Sequence, residues 1–212
     1  RHSTPSILMG QRGAGAAFMP SKYVFPGGAV DAVDETVPLG RDLGPATAQR
    51  LNEESSRSAS ALAAAAIREL WEETGQQIGV AGEWPDPPQG WRGFAATGHL
   101  PDAGALEFVF RAVTPPGRPR RFDARFFLVD ADALLTDPDD FSRAEEELSH
   151  LHWVPLAEAR ALDLPFITEV VLAEIAGGLK RPGPPERVPF FRNDDERHLV
   201  TRLGGRSPFD AL

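Results

Sequence analysis

At 212 residues, with 42% apolar and 25% charged residues, the chain has the make-up of one globular domain with a substantial core. A net charge of −9 argues against a general binder of nucleic acid or anionic membrane, and no apolar run approaches the ~20 residues that a membrane span needs. The absence of cysteine removes disulfides, thiolate metal sites and thiol nucleophiles together, and it fits a reducing, cytoplasmic setting. The chain opens on Arg1 rather than Met, which points to trimming.

Residues 7–9 (ILM) and 23–25 (YVF) read as short strands around a Gly/Ala-rich loop. Past FPGG, residues 31–58 read as an irregular excursion: acidic, then punctuated by Pro and Gly, then polar. A helix is predicted from Ser58 or Ser60, both suited to an N-cap, to about Thr74, with Gly75 taking the left-handed position after it. Four prolines and five glycines across residues 81–104 predict loops there. Residues 106–113, 125–131 and 150–156 are the clearest strands. Phe166, Ile167, Val170, Val171 and Ile175 give helical spacing over 164–179, ended by Gly177 and Gly178. The expected organisation is one domain over 1–180, with an α/β (α+β) fold and a mixed sheet, followed by a Pro-rich extended tail over 181–212. The tail motif PFFRNDDERH either returns to the domain or makes contacts in a homodimer.

The stretch AAAAIRELWEETG, residues 63–75, runs an alanine-rich segment into Arg68, Glu69, Glu72 and Glu73. At ~100° per residue the three glutamates fall within about 100° of one another, beside the apolar face of Leu62, Ala66, Ile67 and Leu70. Three like charges at the edge of a buried stripe repel one another. With a cation between them they become a hard-oxygen site suited to Mg²⁺ or Mn²⁺. On spacing alone, a solvated Glu-rich face is the favoured account of the pattern, because glutamate is common on helices.

Read position by position, Arg68-Glu69-Leu70-x-Glu72-Glu73-x-Gly75 resembles the second half of the Nudix box, G-x5-E-x7-R-E-U-x-E-E-x-G-U with U aliphatic. At average residue frequencies such a coincidence occurs in roughly one window in ten million. Phe25-Pro26-Gly27-Gly28 matches the start of the box. Between Gly28 and Arg68 stand 26 residues more than the pattern has. Counted back from Arg68, the box glutamate falls on Ser60, which leaves Asp31, Asp34 and Glu53 as spatial substitutes. The position after the last glycine is Gln76, with Ile78 nearby to fill the aliphatic role.

The chain is similar to Nudix hydrolases of the coenzyme A diphosphatase branch, peroxisomal and bacterial, in which an insertion splits the box; here it covers 31–58. Their upstream pattern, L-L-T-x-R-S-x3-R-x3-G-x3-F-P-G-G, is matched at Leu8, Arg12, Phe25, Pro26, Gly27 and Gly28, but not at Gly10, Gly13, Ala17 or Ser21. The resemblance implies an α/β/α sandwich and a Mg²⁺- or Mn²⁺-dependent enzyme. It implies water attack on the diphosphate of CoA or acyl-CoA, yielding 3′,5′-ADP and (acyl)phosphopantetheine. Glu72 and Glu73 would be metal ligands, Glu69 a further ligand or the general base oriented by Arg68, and a carbonyl of Gly27 or Gly28 part of the metal shell. Glu147, six residues before Trp153, corresponds to a glutamate that reaches the metals from the opposite side. An arginine island, RAVTPPGRPRRFDAR, offers Arg111, Arg121 and Arg125 to substrate phosphates alongside Arg12 and Phe25. ADP-ribose, NADH or another dinucleotide is the alternative substrate, and a non-catalytic nucleotide-binding domain the alternative role. His150 and His152 are not expected to bind metal, and Trp84 and Trp91 are expected to pin loops.

Overall fold

The computed structural model describes residues 4–16, 18–114, 116–117, 120–179, 185, 187–194 and 197–203. β1 (Ser6–Arg12) lies between β2 (Tyr23–Val24) and β7 (Leu148–Pro155), antiparallel to both. β3 (Gly79–Ala81) and β4 (His99–Pro101) form a hairpin ladder. The largest sheet runs β6 (Asp123–Leu128), β5 (Glu107–Val113), β8 (Val188–Asp194) and β9 (Arg197–Leu203). It is mixed, because β8 pairs in parallel with β5 while the other neighbours are antiparallel.

The alternation of β5 divides its side chains between two layers. Phe108 joins the core cluster that contains Leu62, Ala63 and Ile67 of helix α2 (Ala59–Thr74). A bulge between Phe108 and Phe110 then turns Phe110 and Ala112 towards Val171 of helix α4 (Phe166–Gly178). Leu172, the next residue of α4, packs with Met9 of β1 and Val154 of β7. One helix thus braces two sheets while α2 covers the opposite side, giving the expected α/β/α sandwich. Among the described residues, no helix is long and apolar enough to cross a membrane.

Three segments differ from the sequence reading. Residues 31–58 are not wholly irregular: they hold a 3-10 turn (Ala32–Thr36) and helix α1 (Pro45–Asn52), begun by Pro45 in the first turn, where a missing N–H costs nothing. Val37, Leu43 and Leu51 from this segment are buried in the same cluster as α2. The loop region 81–104 contains the ends of β3 and β4 and a short helix, α3 (Arg92–Ala95), which bring Trp91 and Phe94 into the core fully buried. Where an extended tail was expected, Val188 and Phe190 alternate into the α2 cluster and make β8 part of the sheet.

Because Leu51 is 1% exposed, truncating it leaves a cavity. Leu51→Ala should destabilise the protein by about 2–5 kcal/mol. Urea unfolding measures this, and a midpoint unchanged from wild type would mean that the 31–58 segment is peripheral to the core.

Candidate active site

Helix α2 sets the stage. Its N-cap, Ser58, accepts a hydrogen bond from the Ala61 N–H, and it ends at Gly75 with φ +71°, a left-handed conformation that costs glycine nothing. Its alanines present a flat face to the sheet, which carries the last two turns, with Glu69, Glu72 and Glu73, against the FPGG turn. The Gly27 N–H donates to Glu73 Oε2 at 2.6 Å. A Cβ on Gly28 would overlap the Glu69 carboxyl, so a larger residue there would displace that carboxyl from its place against the turn. Glu69 and Glu73 therefore face a backbone turn rather than bulk water.

Arg68 organises the cluster. It is 5% exposed, and its Nη1 donates to Glu69 Oε1 and to Glu72 Oε2, each at 2.8 Å. Nη2 donates to the Ala29 carbonyl at 2.8 Å and to Asp34 Oδ2 at 3.1 Å, while Nε donates to Asp34 Oδ1 at 3.2 Å. Asp34, only 1% exposed, also accepts from the Trp91 indole at 3.3 Å. Of the three substitutes for the missing box glutamate, Asp34 is the one against Arg68 inside the protein; Asp31 stands 3.8 Å from Arg68 on an exposed side chain. A forward count finds it: five residues separate Gly28 from Asp34, as in G-x5-E, so the extra residues all follow Asp34.

Glu147 comes from the far side. It precedes β7, and its Oε1 accepts from Arg12 Nη2, at the end of β1, at 3.1 Å. Its charge is felt by both Glu69 and Glu73. Burial pushes Glu73 up to about 8, helped by Glu69 and Glu147 and opposed by the Gly27 N–H and Arg12. Burial also raises Glu69 and Glu72, with Arg68 pulling the other way in both cases. For Arg68 burial opposes the charge, yet Asp34, Glu69 and Glu72 outweigh it and the guanidinium stays charged.

Among the described residues, no three His, Asp or Glu side chains are grouped as a ready-made metal site. Glu69 and Glu72 are turned to Arg68, and Glu73 to the Gly27 amide. The chemistry of the donor set nevertheless fits a hard divalent cation: desolvated carboxylates crowded until one holds its proton near neutrality lack positive charge.

The other sequence-derived candidates fare unequally. Arg111 is buried; its guanidinium donates to Asp123 (2.8 Å) and to the carbonyls of Glu53 (2.6 Å) and Glu54 (2.8 Å) and lies over the Phe190 ring, which leaves no face for a phosphate. Arg125 pairs with Asp123 at 2.9 Å and with Ser55 at 3.1 Å. Arg121 is exposed, its Nε 3.4 Å from the Thr114 carbonyl. Arg118 of the same island, and Ala17, lie outside the described residues. Phe25 packs edge-on against Phe126 between two clusters, a core position. His152 meets the Tyr23 ring edge-on and the His150 carbonyl, and Trp84 packs on Trp91.

No protein-family model matches the chain. It is 26% identical over 203 residues to a curated Caenorhabditis elegans protein, "Putative nudix hydrolase 7", in a match that covers 88% of this chain and 64% of that protein. The chain thus spans a little under two thirds of that relative's length. Among solved structures, the NUDIX hydrolase from Alicyclobacillus acidocaldarius matches with a TM-score of 0.61 at 28% identity, covering 85% of this chain and 91% of that one.

The raised carboxylates make a prediction for metal-free protein. Folded Glu73 keeps its proton up to about pH 8, whereas the unfolded chain releases it near 4.5. Between those values the folded state binds more protons, so stability falls as pH rises, and Glu69 and Glu72 act in the same direction. In EDTA the thermal midpoint should drop from pH 5.5 to 8, and Glu73→Gln should flatten the drop. A wild-type midpoint that climbs over this interval contradicts the assignment.

Proposed function

We propose that this chain, which its sequence and structural relatives support as a member of the Nudix hydrolase superfamily, is a Mg²⁺- or Mn²⁺-dependent diphosphatase acting on a nucleoside diphosphate linked to a second group. One observation carries the reading. The FPGG turn is packed onto Glu69 and Glu73, with Arg68 clasping Glu69 and Glu72 from behind. Residues 31–58 are read as an insertion that leaves these contacts intact.

Glu72, Glu73 and Glu147 would hold the cations, with Glu69 as a further ligand or as the base. Bound divalent ions supply charge neutralisation of the diphosphate oxygens and acidify a coordinated water. Arg68 holds Glu69 Oε1, so with Glu69 as the base Oε2 would take the proton from the attacking water. That water's oxygen forms a bond to one phosphorus, the bridging P–O bond breaks, and the bridging oxygen leaves on the second phosphate. Arg12, partly exposed beside Glu147, brings positive charge to Glu73 as well.

CoA or acyl-CoA is the first substrate choice, on Leu8, Arg12 and the FPGG match. The engagement of Arg111 and Arg125 within the fold leaves Arg121 and the exposed Arg120 to meet a 3′-phosphate, and this favours ADP-ribose or NADH as the second reading.

A metal-supplemented panel of CoA, acyl-CoA, ADP-ribose and NADH, with products identified by mass, tests both. Hydrolysis of CoA to 3′,5′-ADP supports the first; intact CoA with cleaved ADP-ribose moves the substrate and keeps the class. Glu72→Gln should lower kcat/KM by at least about a hundredfold, since charge stabilisation by a held metal is worth several kcal/mol. Near wild-type turnover in that variant would remove Glu72 from the site.

A further inference from the structure

We propose that Gln76 is a positioning residue that fastens the loop between β6 and β7 so that Glu147 reaches the carboxylates of α2. The inference rests on the diphosphatase reading, since Gln76 acts there only through Glu147. Gln76 occupies the position where the box pattern has an aliphatic residue, and it is fully buried. The aliphatic packing is supplied two residues later by Ile78, 1% exposed in the α2 cluster. Gln76 is thereby released for something a hydrocarbon cannot do.

Its Nε2 donates to the carbonyls of Asp137 (3.2 Å) and Asp140 (2.9 Å), and its Oε1 accepts from the Thr136 hydroxyl at 2.6 Å. Both amide hydrogens and one acceptor site are thus committed to a single five-residue stretch. Gln77 extends the seam: its N–H donates to Thr136 Oγ1 at 3.2 Å and its carbonyl accepts from Leu135 N–H at 2.9 Å. From the other side, the Trp153 indole donates to the Pro138 carbonyl at 2.8 Å. Further on, Arg143 packs on Gly75, the Glu145 N–H donates to the Glu72 carbonyl at 2.9 Å, and two residues after Glu145 stands Glu147.

Electrostatics explains why such a fastening is needed. Residues 136–147 of the loop carry Asp137, Asp139, Asp140, Glu145, Glu146 and Glu147 against one cation, Arg143, and they dock on the C-terminal end of a helix, whose dipole is negative there and whose last turns hold three glutamates. Charge alone would drive the two apart. Uncharged amide and indole donors hold the loop carbonyls without adding to that repulsion, and their burial is compensated by the bonds they make.

The test is a double-mutant cycle on full-length protein with Mn²⁺ and CoA, or ADP-ribose where wild type prefers it. Gln76→Leu keeps volume and removes the amide. Its kcat should fall about ten- to a hundredfold, the penalty of displacing a catalytic group by about 1 Å, with KM within threefold of wild type. In a Glu147→Gln background the same substitution should change kcat by less than twofold, because the group it positions is already gone. Amide exchange should quicken in residues 136–147 and stay unchanged in α2 and β5. Independent, multiplying effects, or unaltered exchange in the loop, would overturn the proposal. So would a Glu147→Gln enzyme equal to wild type, which leaves the hydrolase class standing. If Gln76→Leu does not fold, Trp153→Phe removes the other fastening and takes its place in the cycle. If wild type cleaves nothing in the panel, the diphosphatase reading falls; the cycle is then read on the Mn²⁺-induced rise in Tm, where coupling between positions 76 and 147 supports the fastening and additivity overturns it.

Discussion

A guanidinium sealed from water is tolerated only where every N–H finds a partner and a counter-ion stands beside it, since removing one partner of such a pair costs about 3–5 kcal/mol. Arg68 meets that demand with Asp34, itself sealed, and with Glu69, Glu72 and the Ala29 carbonyl. Each partner belongs to a different task. Asp34 closes the 3-10 turn after FPGG, Ala29 fixes the exit of FPGG, and the two glutamates belong to the proposed metal site. The Trp91 indole adds a fourth segment by donating to Asp34. Shape follows from one charge: the turn, the segment after it, the helix and the Trp91 loop must meet where Arg68 is.

The same charge holds the acidic cluster short of neutrality. Arg68 offsets Glu69 and Glu72, but Glu73 has only the Gly27 amide and a distant influence from Arg12 set against burial and two like charges. A carboxyl pushed up to about 8 is a standing demand for more positive charge. Packing enforces the crowding, because glycine at position 28 is what allows the turn so near Glu69. Stability and the proposed affinity for a cation would therefore trade against each other in the same few residues.

Local signals were readable where the chain's own chemistry decides the outcome. Ser58 and Gly75 bound α2 as their side chain and backbone freedom require, and the strands expected over 106–113 and 125–131 appear as β5 and β6. Burial of Glu73 was not readable, because it depends on FPGG arriving from 46 residues away. Counting from the helix rather than from the turn left Asp34 undistinguished from Asp31 and Glu53. The arginine island misled for a different reason. Arg111 stands directly opposite Arg125 across β5 and β6, a repulsive pairing that Asp123 resolves by bonding to both. A count of charges along the chain records five arginines and one aspartate but not that the one aspartate sits between two of them. Strand β8 was hidden by Pro189 and the charged residues around it, since its burial comes from the parallel pairing with β5 rather than from its own composition.

Asp34 and Arg68 lie 34 residues apart, whereas the box pattern separates its glutamate and arginine by eight. Loop-closure entropy grows only with the logarithm of length, so the longer connection costs about 1 kcal/mol more. Full burial of a single leucine side chain contributes about 1.5–3 kcal/mol, and Leu51 on α1 is buried. The added segment can thus offset its own closure by joining the core, and Val37 and Leu43 join it as well. What the chemistry requires is a contact through space between two side chains, and that contact is indifferent to how many residues pass between them provided they pack. The proposed split in the box is compatible with the proposed site for this reason, and Asp34, shorter than glutamate by one methylene, still bonds Arg68 from a turn that the Trp91 indole also holds.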